Sequence, residues 1–177
     1  MEIGLFYASS TCYTEMVAEK IAAALQPLTV HLHNLRDQPL ADVSRYPVVL
    51  FGISTWDYGE LQEDWASHWS ELADLDLDGR IVALFGLGDQ SGYGDWFVDA
   101  LGMLHDQLLA HRVQLIGYWP NSDDYQFTAS KALTEDGQYF VGLVLDEENQ
   151  YALTEQRIAC WCQQLRAELA ELITPSA

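Results

Sequence analysis

The chain predicts a three-layer α/β arrangement, with a parallel sheet between helices, and three observations carry that prediction. Short continuous apolar runs, Val48-Val49-Leu50-Phe51-Gly52-Ile53 and Ile81-Val82-Ala83-Leu84-Phe85-Gly86-Leu87, have the make-up of central strands covered on both faces. Other stretches carry apolar residues every third or fourth position, the stripe of an amphipathic helix. The two kinds of segment alternate, which implies parallel strands joined by crossover helices. At 177 residues, with no repeat, low-complexity segment or linker, the expectation is a single domain over 1–177.

The first run, Ile3-Gly4-Leu5-Phe6-Tyr7-Ala8, reads as a strand that enters the loop Ser9-Ser10-Thr11-Cys12-Tyr13-Thr14. A helix begins near Glu15, with Val17, Ile21 and Leu25 on its buried stripe, and stops by Pro27. Thr29-Val30-His31-Leu32-His33 alternates and reads as a strand with one wetter face. His31 and His33 share a face, yet no Cys, Asp or Glu motif joins them, so both read as structural. Residues 36–46 form a polar connection to the Val48 strand, and Trp65, Trp69 and Leu72 are spaced for a helix before the Ile81 strand. Phe97, Leu101, Leu104 and Leu108 make the next helical stripe, and Val113-Gln114-Leu115-Ile116-Gly117-Tyr118 the next strand. A polar stretch over 119–138 breaks the rhythm, and the apolar run at 139–145 extends or neighbours that strand. Ile158, Cys162, Leu165, Leu169 and Leu172 stripe a C-terminal helix, on which Cys160 and Cys162 face apart and form no chelate.

Composition narrows the function. Acids outnumber bases 27 to 8, for a net charge of −19, which argues against nucleic acid as a partner and suits encounters with a positively patched protein. No apolar run approaches the ~20 residues of a membrane span. Met1-Glu2-Ile3-Gly4 lacks the basic start of a secretory leader, and three cysteines make neither a disulfide framework nor a zinc site, so a cytoplasmic setting is expected.

In an open parallel sheet, ligands bind beyond the carboxyl ends of the strands. Three loops leave such ends. The loop at 9–14 is rich in hydroxyls, has no Lys or Arg, and opens a helix whose free N–H groups and dipole favour an anion; a Ser/Thr N-cap is the commoner meaning of such a loop taken alone. The loop Ser54-Thr55-Trp56-Asp57-Tyr58-Gly59-Glu60 and the loop Gly88-Asp89-Gln90-Ser91-Gly92-Tyr93-Gly94-Asp95 each place an aromatic among small and polar residues. Two aromatics on neighbouring loops suit a flat ring, and with the hydroxyl loop they point to a planar, phosphorylated ligand.

These three segments resemble the flavin loops of flavodoxins. The segment Gly117-Tyr118-Trp119-Pro120, the insert after it and the stretch from Phe140 to Gln150 are similar to the long-chain members, closest to the bacterial flavodoxin B type. The resemblance covers essentially the whole chain. It implies a flavodoxin-like three-layer sandwich with a five-stranded parallel sheet in the order 2-1-3-4-5, an insert associated with the last strand, and one non-covalently bound flavin mononucleotide (FMN). It assigns the phosphate to Ser9, Ser10, Thr11, Cys12, Tyr13 and Thr14, and the ring to Ser54, Thr55, Trp56, Asp57, Tyr58, Gly59, Leu87, Gly88, Asp89 and Tyr93, with Trp56 on the inner face and Tyr93 on the outer. It places Asp146 near the ribityl chain. Cys12 stands where most members have glycine and reads as a structural replacement.

The function implied is a low-potential one-electron carrier working through a neutral semiquinone, not an enzyme. Ferredoxin/flavodoxin–NADP reductase would be the donor and other redox enzymes the acceptors, met through an acidic face by a monomer. Residues 47–79 and 81–111 contain no Lys or Arg, so Asp57, Glu60, Glu63, Asp64, Asp89 and Asp95 are expected to disfavour the fully reduced anion. The alternative is a flavin-dependent NAD(P)H:quinone-type reductase on the same fold, which would need a basic cluster for the nicotinamide nucleotide; a phospho-acceptor receiver lacks its acidic pair here. For the insert at 119–138, a cover over the sheet edge and a docking surface are both open, with docking preferred.

Overall fold

The computed structural model describes residues 1–173. Its strands follow the apolar runs. β1 (Glu2–Tyr7) pairs in parallel with β2 (Thr29–Asn34) on one side and with β3 (Val48–Trp56) on the other. β3 pairs with β5 (Ile81–Leu87) from Val48↔Ile81 through Ser54↔Leu87. With β6 formed by Gln114–Ile116, the path β2-β1-β3-β5-β6 is the expected 2-1-3-4-5 order of main strands, and β4 (Glu60–Leu61) is a short antiparallel addition to the end of β3.

The last position of the sheet is split. β6 (Gln114–Ile116) pairs with the first half of β5, and β9 (Leu143–Leu145) pairs with the second half. Residues 117–142 loop out between them and carry a small hairpin of β7 (Trp119–Pro120) and β8 (Tyr139–Phe140). The sequence offered one strand at 113–118. Gly117, at φ 77, turns the chain out of the sheet after three paired residues.

Alternation along each strand divides the core between the two faces of the sheet. Phe6, Val49, Phe51, Ile53, Val82 and Leu84 pack with Trp65 of α2 (Glu63–His68) and with Leu101 and Leu104 of α3 (Asp99–Leu108). Ile3, Leu5, Val48, Leu50, Ala83 and Phe85 pack with Val17 and Ile21 of α1 (Tyr13–Ala24), and with Ile158, Trp161 and Leu165 of α4 (Thr154–Ile173). Burial on both sides is why β3 and β5 read as unbroken apolar runs. The expected helix through Trp65, Trp69 and Leu72 is shorter: α2 ends at His68 and a 3₁₀ turn carries Trp69–Asp74. The polar connection at 36–46 likewise hides a 3₁₀ turn that buries Leu40 and Val43. His33 lies flat on Phe6, with ring centroids 4.4 Å apart, and its Nε2 meets the Tyr46 hydroxyl at 2.8 Å, in keeping with a structural reading.

Candidate functional site

The three loops meet at the carboxyl ends of β1, β3 and β5, around a cavity of about 290 Å³. Thr11, Tyr13 and Thr14 line it from the first loop, Ser54, Thr55, Trp56 and Asp57 from the second, and Leu87, Gly88, Asp89 and Tyr93 from the third. Glu147 and Glu148, which the sequence reading did not assign, complete the lining. Of the six acids expected to crowd the site, Asp57 and Asp89 line it, while Glu60, Glu63, Asp64 and Asp95 do not.

The first loop is held by its neighbours. Cys12 caps α1 from the left-handed region (φ 68) with no side-chain hydrogen bond, and the helix begins at Tyr13, two residues earlier than expected. The first-turn N–H groups of α1 have no intrahelical acceptor. The Ser9 hydroxyl is buried and without a partner. Gln62, which the sequence reading missed, braces this loop: its Nε2 donates to Ser10 Oγ at 3.0 Å, while its Oε1 caps α2 by accepting from Asp64 and Trp65 N–H.

The second loop is a tight hairpin. Trp56 pairs with Glu60, and the three residues between them turn with Asp57 at φ 44 and Gly59 at φ 87. A Cβ at Gly59 would sit 3.0 Å from Asp99 Oδ2, so the position admits no larger residue without movement. Trp56 Nε1 donates to Ser54 Oγ at 2.9 Å. Tyr58 is 69% exposed and meets Trp96 and Tyr93 edge-on, at centroid distances of 5.1 and 6.3 Å.

The third loop is tied inward. Asp89 Oδ1 accepts from Ser91 N, Gly92 N and Asn149 Nδ2. Burial works to raise this carboxyl's pKa, but those three donors outweigh it and hold it below the ordinary value. Asp146 does not line the cavity. It is fully buried, and its two oxygens accept from Gln90 N and Nε2, Glu148 N, and Asn149 N and Nδ2. The residue expected near a ribityl chain is therefore the internal knot that joins the third loop to the segment carrying Glu147 and Glu148. The insert joins the same network where Gln126 N donates to Gln90 Oε1 at 2.6 Å. Ser9, Ser10, Cys12, Tyr58 and Gly59 flank the cavity in sequence without lining it.

Among the described residues, no group of three His, Cys, Asp or Glu is placed to hold a metal, and no helix is long and apolar enough to cross a membrane. The site is a slot with three aromatics, Tyr13, Trp56 and Tyr93, a hydroxyl-bearing helix start and no lysine or arginine in its lining.

Residues 5–161 match the sequence model of the family described as Flavodoxin. The chain is 57% identical to Flavodoxin 2 of Salmonella typhi, over 97% of this chain and 98% of that one. It is 45% identical to a flavodoxin of Nostoc sp., over 94% and 96%. A solved structure of Fusobacterium nucleatum flavodoxin bound to flavin mononucleotide is similar with a TM-score of 0.85 at 28% identity, covering 94% of this chain and 98% of that one. With strand order, loop placement and these likenesses in agreement, the chain belongs to the flavodoxin family.

Proposed function

We propose that this protein is a single-domain, low-potential electron carrier that holds FMN in the slot between Trp56 and Tyr93. The observation that carries the reading is that Trp56 and Tyr93, from separate loops, line one cavity together with Thr11, Tyr13 and Thr14 at the start of α1. The residues present fit the cofactor. The buried, unpartnered Ser9 hydroxyl and the free N–H groups of the first α1 turn are donors waiting for an anion. Asp89 Oδ1 is taken by Ser91, Gly92 and Asn149, while the Gly88 carbonyl and the Asp89 N–H are backbone groups that could meet a ring edge. Ser9–Thr14 would hold the phosphate, and Ser54–Gly59, Leu87–Asp89 and Tyr93 the ring.

When bound, FMN supplies a ring that gains and loses electrons singly. The chain does the rest. Trp56 and Tyr93 would cover the ring faces and exclude water. The turn at Asp57–Gly59, with two residues already at positive φ, presents backbone groups that can hold a proton on a ring nitrogen. Asp57, Asp89, Glu147 and Glu148, with no cation beside them, oppose any negative charge added in the slot. That opposition sets the potential low. Ferredoxin/flavodoxin–NADP reductase is the proposed donor and other redox enzymes the acceptors, met through the acidic face by a monomer in the cytoplasm.

The test is absorption spectroscopy of the purified protein with added FMN, followed by stepwise reduction without oxygen. Stoichiometric uptake and two separate one-electron steps are expected. Direct two-electron bleaching by NAD(P)H with no partner protein would move the assignment to the reductase, and failure to take up FMN would end it.

A further inference from the structure

Arg157 is 6% exposed, and its Nη1 and Nη2 are both buried with no hydrogen-bond partner. Among the described residues no carboxylate lies within ion-pair reach of it, in a chain that carries 27 acids. Its guanidinium stands 4.3 Å over the ring of Tyr125. Tyr125 is rigidly placed, donating to Val144 O at 2.7 Å and accepting from Trp119 Nε1 at 2.8 Å, and burial pushes its phenol up to about 12, so it stays neutral. The ring gives the cation a face to rest on but accepts none of its N–H groups. A buried, permanently charged fork without acceptors is rare in native structures.

Arg157 also lines a cavity of about 250 Å³, walled by Trp119 and Pro120 of the insert, Asp124, and Gln156 and Cys160 of α4. At roughly 30 Å³ per water this space holds about eight. It shares no lining residue with the slot described above. We propose that this open groove between the insert and α4 is a binding site for a carboxylate group. A planar monoanion matches the guanidinium fork in two parallel hydrogen bonds. Asp124 in the wall, and the net charge of −19, select against a multiply charged anion such as phosphate. Binding requires only that the guanidinium turn one edge toward the cavity that its own side chain lines.

The experiment uses the full-length, FMN-loaded protein labelled with ¹⁵N. The Arg157 Nε–H resonance, assigned by its loss in Arg157→Lys, is followed during titration with sodium acetate, sodium phosphate and, at matched ionic strength, sodium chloride. A saturable shift with acetate, absent with chloride and weaker with phosphate, is expected. The Lys variant should keep its flavin spectrum and lose saturable acetate binding by calorimetry. Two further arms separate the sources of the group: N-acetyl-glycyl-glycine, with its free carboxylate, and the same peptide amidated. Tighter binding of the free peptide than of acetate assigns a peptide terminus, and equal or weaker binding assigns a small free carboxylate. Phosphate binding as strongly as acetate would overturn the assignment to a monoanion. No saturable shift with any anion would overturn the site.

Discussion

Cys12 holds a conformation that side chains resist. A left-handed residue other than glycine costs about 1–2 kcal/mol, and glycine there adds back about 0.4–1 kcal/mol of unfolded-chain freedom. Cys12→Gly should therefore change the stability of the flavin-free protein by about 1 kcal/mol or less and leave electron transfer intact. Cys12→Val, β-branched at φ 68, should cost about 1–2 kcal/mol more. Urea denaturation midpoints of the two variants check both. Asp146 presents the opposite case, a residue whose worth lies in what it accepts. Asp146→Ala leaves the N–H groups of Gln90, Glu148 and Asn149 unanswered and should cost about 3 kcal/mol or more, with FMN affinity falling alongside because the third loop loses its anchor. Unchanged urea midpoints and FMN dissociation constants would refute that role. The sequence shows Asp146 as one acid among several. Its turn with Glu148 and Asn149 is local, but its link to Gln90 spans 56 residues, and Gln62 reaches 52 residues back to Ser10, so neither long-range role leaves a local pattern to read.

At the scale of elements, periodicity carries the reading where burial is uniform and fails where the chain turns locally. β1, β3 and β5 are sandwiched between two layers, and their apolar runs declare it. Trp65, Trp69 and Leu72 keep a helical spacing although α2 passes into a 3₁₀ turn after His68, since both forms bring residues three or four apart to one side. The insert is the least legible element because its anchors are single hydrogen bonds and close approaches. Phe97 N donates to Ala129 O, and Lys131 N to Asp99 Oδ1. Beneath them, α3 presents Gly102 to the Lys131 carbonyl so closely that a Cβ would overlap it. Gly102→Ala should push the insert outward and cost about 1–3 kcal/mol despite the better helix propensity of alanine, which a thermal unfolding comparison measures. These contacts tie the insert over α3 and its core.

For the molecule as a whole, charge is the dominant variable. With −19 at neutral pH, self-repulsion opposes the folded state and salt relieves it. Raising sodium chloride from about 10 mM to about 300 mM, which shortens the Debye length from about 30 Å toward 6 Å, should raise the melting temperature of the flavin-free protein and at the same time slow association with a basic redox partner. A melting temperature that fails to rise would remove self-repulsion as a factor. The same field acts on the cofactor. Replacing the pair at the slot, Glu147→Gln with Glu148→Gln, should raise the potential of the second electron by tens of millivolts, since about 59 mV corresponds to a tenfold change for one electron. Redox titration of the double variant decides it.

The divided edge of the sheet has a consequence for how this polypeptide can be cut and rejoined. Ile116 stands opposite Ala83 and Leu143 opposite Phe85, so on β5 the two halves leave a gap of one residue, the place across from Leu84. A single residue spliced between Ile116 and Leu143 would make one continuous strand and excise everything between. The shortened polypeptide would keep every parallel pairing of the sheet. It would lose the lid formed by Tyr125, Phe127 and Phe140, all of which pack on Phe97, and leave that side of α3 wet. In construction terms, the loop-out is a removable panel: its seams are already aligned, and what it weatherproofs is the half of the core that lies behind the third loop.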